Sequence, residues 1–219
     1  MKKAFTLTEI IVTLSIIGVI AALTIPAVMK GYREKMYSAQ LKKTVSQIEN
    51  AAKTVMSDEH AQSFFKTTAG VPTTDDTDET VGAPYFLNNY LKNARTGCFN
   101  KNDSNANNCI LKTYKTAGGT DVEMYSSYCV LTVNGSAVCM WNDTEKENNN
   151  IIIDINGIDA PNIIGVDVFS AKISADGTVI SDGVDETKCG VKSSDWGHIV
   201  DYAQGCLQKV INNNWKITE

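Results

Sequence analysis

Apolar residues run almost unbroken from Phe5 to Met29, with one carboxylate, Glu9, near the start. No other acid or base falls within that run. About 24 such residues are enough to cross a bilayer with some tilt. A charged residue at mid-bilayer costs about 2.5–3.5 kcal/mol on insertion scales and less near the edge, so a carboxylate kept there calls for a partner. Beyond Met29 the pattern changes. Tyr37, Leu41, Val45, Ile48, Ala52 and Val55 recur every third or fourth residue, while Lys42, Lys43, Gln47, Glu49 and Lys53 fall between them. That is one apolar stripe on a helix. The two stretches join into a single helix from Phe5 to about His60, about 80 Å long at 1.5 Å per residue. Its first half is expected in lipid or in the core of an assembly, its second half under a globular head.

The head reads as α+β. Gly70, Pro72 and the acidic stretch from Thr73 to Thr80 predict a solvated connection. Pro84 stands near a helix start, and Tyr85, Phe86, Tyr90 and Leu91 give Ala83–Leu91 an apolar face. Asparagine-rich residues 100–108 predict a loop. Strands are expected at 110–116, 122–128, 130–133, 137–141, 151–155, 166–173 and 178–180, which are short and rich in β-branched or aromatic residues. Gly118-Gly119, Asn134-Gly135 and Asp176-Gly177 are turn signals between them. The antiparallel sheet they imply is expected across the second half of the long helix. Ile199, Tyr202, Ala203, Cys206, Leu207 and Val210 share helical spacing and predict a closing helix over Asp195–Asn212, with Trp215 packing back after it.

The chain has 219 residues and a net charge of −5. Mild acidity argues against a broad surface that tracks phosphates, so nucleic acid is not an expected partner. Six cysteines, Cys98, Cys109, Cys129, Cys139, Cys189 and Cys206, lie beyond the apolar run. An even count there suggests disulfides in an oxidising space, and sequence alone leaves about 15 connectivities open. The expected pairing joins sequence neighbours, Cys98–Cys109, Cys129–Cys139 and Cys189–Cys206. The middle pair carries a geometric demand. A two-residue Asn134-Gly135 turn sets Cys129 opposite Met140, with the sulfurs on opposite faces. A three-residue loop centred on Asn134 sets Cys129 opposite Cys139. The spacings contain no C-x-x-C pair and the two histidines, His60 and His198, are far apart, so neither structural zinc nor thiol catalysis is expected. There is no glycine-rich phosphate loop, and no histidine stands near a nucleophile. The chain is therefore not expected to be an enzyme.

The segment Met1-Lys2-Lys3-Ala4-Phe5-Thr6-Leu7-Thr8-Glu9, followed by the apolar run, resembles the N-terminus of type IV pilins and of type II secretion pseudopilins. The resemblance covers about the first 30 residues closely and the next 30 by helical pattern. It implies a leader, residues 1–4, removed by a prepilin peptidase at the Ala4–Phe5 bond, and N-methylation of Phe5. Ala4 stands where the family mostly has glycine. Cleavage would create a cation at Phe5, and the resemblance implies that Glu9 of an incoming subunit neutralises the amine of a neighbour. Gly18 and Pro26 occupy positions where the family often places helix-loosening residues; both are also tolerated in ordinary membrane helices. The implied organisation is a transmembrane or filament-core helix over 5–29, a soluble half over 30–65, and a pilin-like head with disulfide-tied loops over 66–219. Two further readings stay open: a secretory signal peptide with Ile10–Ile25 as its apolar core, and a plain membrane anchor. Lys30, Arg33 and Lys35 compete with Lys2 and Lys3 under the positive-inside rule, so charge leaves orientation undecided. The resemblance puts the N-terminus in the cytoplasm and the head outside it, at a bacterial inner membrane.

The segment from Asp154 to Phe169 resembles a loop of some pilin-like proteins, with its Asp-x-Asn-Gly start, Pro161-Asn162 and Gly165-x-Asp167. Oxygens of Asp154, Asn156, Asp159 and Asp167 are a candidate Ca²⁺ set, since calcium takes six to eight such ligands and orders a loop in some pseudopilins. A hydrogen-bonded turn is the alternative, because Asn and Asp tie down nearby backbone and Gly157 and Gly165 allow positive φ. The expected function is a structural filament subunit, whose partners are other pilin-like subunits, a peptidase–methylase, a motor and a platform protein. The alternative is a minor tip subunit whose head holds a secreted substrate, a surface ligand or DNA. A membrane-anchored hydrolase is a third class.

Overall fold

The computed structural model describes residues 6–72, 78–98, 109–124, 128–142, 149–193 and 197–218. One helix, α1, spans Leu7–Asp58 and is 52 residues long. All six residues of the expected stripe are buried, and Thr44 and Ala51 join them. Lys42, Lys43 and Lys53 face solvent. The first half differs in kind. Leu7, Ile11, Leu14, Ile17, Leu23 and Val28 are all more than half exposed. The apolar window of α1 has a mean hydropathy of 2.5, and 0% of it is buried within the chain. By length and composition, α1 is the one described helix able to cross a membrane.

A six-stranded antiparallel sheet lies against the second half of α1, in the order β1-β4-β5-β6-β7-β8. Here β1 is Asn93–Arg95, β4 Tyr128–Thr132, β5 Ala137–Asn142, β6 Asn149–Asp154, β7 Val168–Ile173 and β8 Val179–Ser181. Strands β4 to β8 form a continuous meander, and β1 adds at the β4 edge with a register shift. The strands β2, Thr113–Lys115, and β3, Asp121–Glu123, pair separately as a hairpin. Consecutive residues of β5, β6 and β7 are buried, so both faces of the sheet centre are covered. Helix α2, Gly82–Tyr90, packs on β4 and β5, and its Phe86 meets Phe64 edge-on with ring centroids 5.3 Å apart.

Several expected elements shift. The segment 110–116 contracts to β2. The segment 122–128 is divided, with 121–123 in the small hairpin and Tyr128 opening β4. The segment 166–173 begins as a strand only at Val168, because Val166 and Asp167 donate their N–H groups to Ile163 O in a turn. Strand β1 was not expected; it has no apolar alternation to mark it. Residues 100–108 and the run at 73–77 lie outside the described residues.

The expected single helix over 195–212 is two: α3, Ile199–Ala203, and α4, Cys206–Asn212. Gly205 interrupts them with φ 72°, and a Cβ there would lie 2.0 Å from Asp185 O. Its N–H donates to Asp182 O at 2.9 Å. The apolar spacing runs on through the break, since Ala203, Cys206, Leu207 and Val210 are all buried. Periodicity alone therefore cannot reveal it.

The disulfides join Cys98–Cys109, Cys129–Cys139 and Cys189–Cys206. Cys129 pairs directly with Cys139 across β4 and β5, with Cα atoms 4.0 Å apart. The odd register comes from a three-residue loop. Thr132 N–H donates to Ser136 O, Gly135 N–H donates to Thr132 O, and Gly135 has φ 87°. A left-handed residue at that position is what a three-residue hairpin loop requires.

Gly205→Ala is expected to destabilise the head by about 2–4 kcal/mol, since it combines a positive φ with a backbone clash. Denaturant unfolding of the detergent-solubilised full chain checks this; a change under about 1 kcal/mol would contradict the close approach at Asp185.

Candidate functional site

The first turn of α1 places Glu9 at the third helical position behind the N-cap Thr6. Thr6 N–H donates to Glu9 Oε2 at 2.8 Å, Thr6 Oγ1 donates to the same oxygen at 2.9 Å, and Glu9 N–H donates to Thr6 Oγ1 at 3.2 Å. This is a reciprocal capping box. It satisfies N–H groups that a helix start leaves orphaned, where an anion also suits the helix dipole. The carboxylate thus has a local partner inside its own chain. Ala4 and Phe5 lie outside the described residues. Further along, Thr13 donates to Glu9 O and Ile10 O, Ser15 to Ile11 O, and Thr24 to Ile20 O. Those hydroxyls need no water, which suits an apolar setting. A Cβ at Gly18 would meet nothing, and Pro26 sits inside α1 without ending it.

The head is tied to α1 through a polar seam within the apolar stripe. Gln40 Nε2 donates to Ile155 O at 2.6 Å and to Asn134 O at 3.0 Å. Thr44 Oγ1 and Ser136 Oγ are 3.0 Å apart, and Ser136 Oγ donates to Ile155 O at 2.9 Å. Asn156 Nδ2 donates to Tyr37 Oη at 3.1 Å. Higher on the helix, Glu49 Oε1 accepts from the Val179 N–H at 3.0 Å. The stripe identified where the head docks but gave no sign of Gln40 and Thr44, whose polarity hides them in an apolar pattern.

The candidate calcium residues are brought into one neighbourhood but not around one point. Asp154 is fully buried; its Oδ2 accepts from Tyr114 O–H at 2.6 Å and its Oδ1 from Asn156 N–H at 3.3 Å. Asp167, also fully buried, accepts from Asn162 N–H and Ile163 N–H at 2.7 Å each. Asp159 contributes a backbone carbonyl to Asn156 Nδ2 at 2.6 Å, and its side chain is exposed. One oxygen of the set, Asn156 Oδ1, is buried without a partner. Among the described residues, no group of three or more His, Cys, Asp or Glu side chains is placed to hold a metal ion. The carboxylates of Asp154 and Asp167 are taken up by N–H and O–H donors and the Asp159 side chain faces solvent, so the four residues do not converge as a calcium cage. The geometry is that of a hydrogen-bonded turn closed on two acids. Tyr114 is the member that sequence did not single out, although it is the one buried residue of β2.

Burial dominates the electrostatics here. It pushes the Asp167 carboxyl up to about 6, against the N–H groups of Asn162 and Ile163. Burial, helped by the nearby Asp167, raises Asp154 well above its usual range against the pull of the Tyr114 hydroxyl. Burial, then the charge of Asp154, raises Tyr114.

Both acids hold a proton more tightly in the folded chain than in the unfolded one. The contribution of Asp167 to stability is full below the ordinary value of 3.8 and falls as pH rises through about 6, and that of Asp154 falls in the same direction. For Asp167 the loss amounts to about 3 kcal/mol. The detergent-solubilised chain should therefore melt higher at pH 5 than at pH 7.5, and Asp154→Asn should flatten that slope. A slope of opposite sign over this window would contradict the arrangement.

No family model matches the chain, and neither a curated protein nor a solved structure matches it.

Proposed function

We propose that the chain is a pilin-like filament subunit: anchored by the first half of α1, trimmed before Phe5, and assembled with other subunits through that same apolar segment. The observation that carries this is the helix itself. The predominantly apolar start of the helix is covered by nothing among the described residues, while its continuation is clamped beneath a disulfide-tied head. An apolar surface of that extent needs lipid or neighbouring subunits around it. The resemblance of residues 1–9 supports leader processing, and the position of Glu9 at the mouth of the run supports its pairing with a neighbour's Phe5 amine.

Intact-mass and N-terminal analysis of the chain from its own host should find Phe5 as first residue, carrying a methyl group. A mature chain still bearing residues 1–4 in its normal assembly sinks the proposal.

The capping box refines the test of Glu9. Glutamine at the third helical position can still cap, so Glu9→Gln keeps the helix start and removes only the charge. If the charge pairs between subunits, Glu9→Gln and Glu9→Ala should both insert normally and lose filaments by about tenfold or more, the size of a 1.4 kcal/mol loss at one interface. Normal filament yield from Glu9→Gln would leave Glu9 with capping alone.

A further inference from the structure

Where the apolar run ends, the C-terminal segment returns and lies along α1. Ile217 is 2% exposed, and its N–H donates to Ser38 Oγ at 3.0 Å. Trp215 stacks under Lys42, whose Nζ is 5.9 Å from the ring centroid. Between this segment and α1 runs a groove of about 490 Å³. Ala39, Trp215 and Ile217 give it an apolar lining, and Lys35, Lys42 and Lys216 bring three cations to it. Among the described residues, none of these lysines pairs with a carboxylate. Glu34, the one acid lining the groove, has a partner of its own.

We propose that this groove seats an anionic phospholipid of the leaflet that the head faces. The assignment rests on the anchored reading of α1 given above. Height along the helix supports it. At 1.5 Å per residue, Gly31 lies about 3 Å and Lys35 about 9 Å beyond Met29, while the polar layer of a bilayer leaflet is about 5–8 Å deep. The mouth of the groove at Gly31 thus opens within that layer, with Lys35 at its outer edge, while Lys42 and Trp215, about 20 Å beyond Met29, line its far end above the headgroups. The chemistry is complementary. Lysine stems lie along apolar surface while their ammonium groups reach down to a phosphate. Lysines with no carboxylate partner among the described residues favour a headgroup with net negative charge over a zwitterionic one.

The test uses the full chain in nanodiscs holding phosphatidylglycerol and phosphatidylcholine in equal amounts, followed by native mass spectrometry of the lipids that stay bound. Phosphatidylglycerol should be retained about fivefold or more over phosphatidylcholine. Combined Lys35→Gln and Lys216→Gln should bring the ratio to parity. Lys53→Gln, on an exposed part of α1 outside the groove, should keep the enrichment. Parity in the unaltered chain, or enrichment that survives the double substitution, overturns the assignment. Displacement of the lipid by millimolar inorganic phosphate would show a free-anion site and overturn it too. A chain that stays out of the disc fails the anchored reading and the groove together, whereas one that enters and shows parity fails the groove alone.

Discussion

The first half of α1 carries apolar side chains around its circumference, and nothing among the described residues covers them. Burying a single leucine or isoleucine side chain is worth about 1.5–3 kcal/mol, so this helix left in water is strongly unfavourable. Its backbone is satisfied internally, and the Thr13, Ser15 and Thr24 hydroxyls fold back onto carbonyls of the previous turn. Only the apolar surface remains to be removed from water, and lipid or identical helices can both do it. In the proposed function, that interchangeability would let one segment serve first as an anchor and then as a packing element.

The second half of the same helix lives under a different constraint. Its stripe is buried by the sheet, but the stripe alone does not fix where along the helix the sheet sits. Gln40, Thr44 and Glu49 do so, each reaching a turn or strand end with defined donors and acceptors. Buried polar groups are costly unless paired, so sliding the head by one helical turn would strand them. Apolar burial supplies the affinity of the docking, and the polar seam supplies its register.

Much of this was legible in the residues. The stripe from Tyr37 to Val55 follows from period alone, because one face of a helix must be covered. The hairpin joining Cys129 to Cys139 was legible as a condition: bonding required an odd loop, and Val133-Asn134-Gly135 forms one. Other features left no local mark. Strand β1 is polar and short, held at the sheet edge by pairing with β4. The break at Gly205 sits inside unbroken helical spacing and is imposed by the approach of the Asp185 carbonyl, a contact about 20 residues away in sequence. The Asp154–Asp167 loop showed its oxygens but not their partners. Tyr114 comes from a separate hairpin, and only the folded chain reveals that donors already occupy the acids.

The covalent staple between β4 and β5 has a mechanical consequence. Tension drawn along α1 enters the head at Gln40 and Thr44, which grip the tip of that hairpin through Asn134 and Ser136. A hairpin loaded at its tip ordinarily unzips one rung at a time. Here peeling stops at the Cys129–Cys139 rung, with three rungs between it and the loop, so the extensible slack is confined to the short segment between the two cysteines. In the proposed fibre, such a head would yield at its grip on the helix before the stapled β4–β5 hairpin came apart.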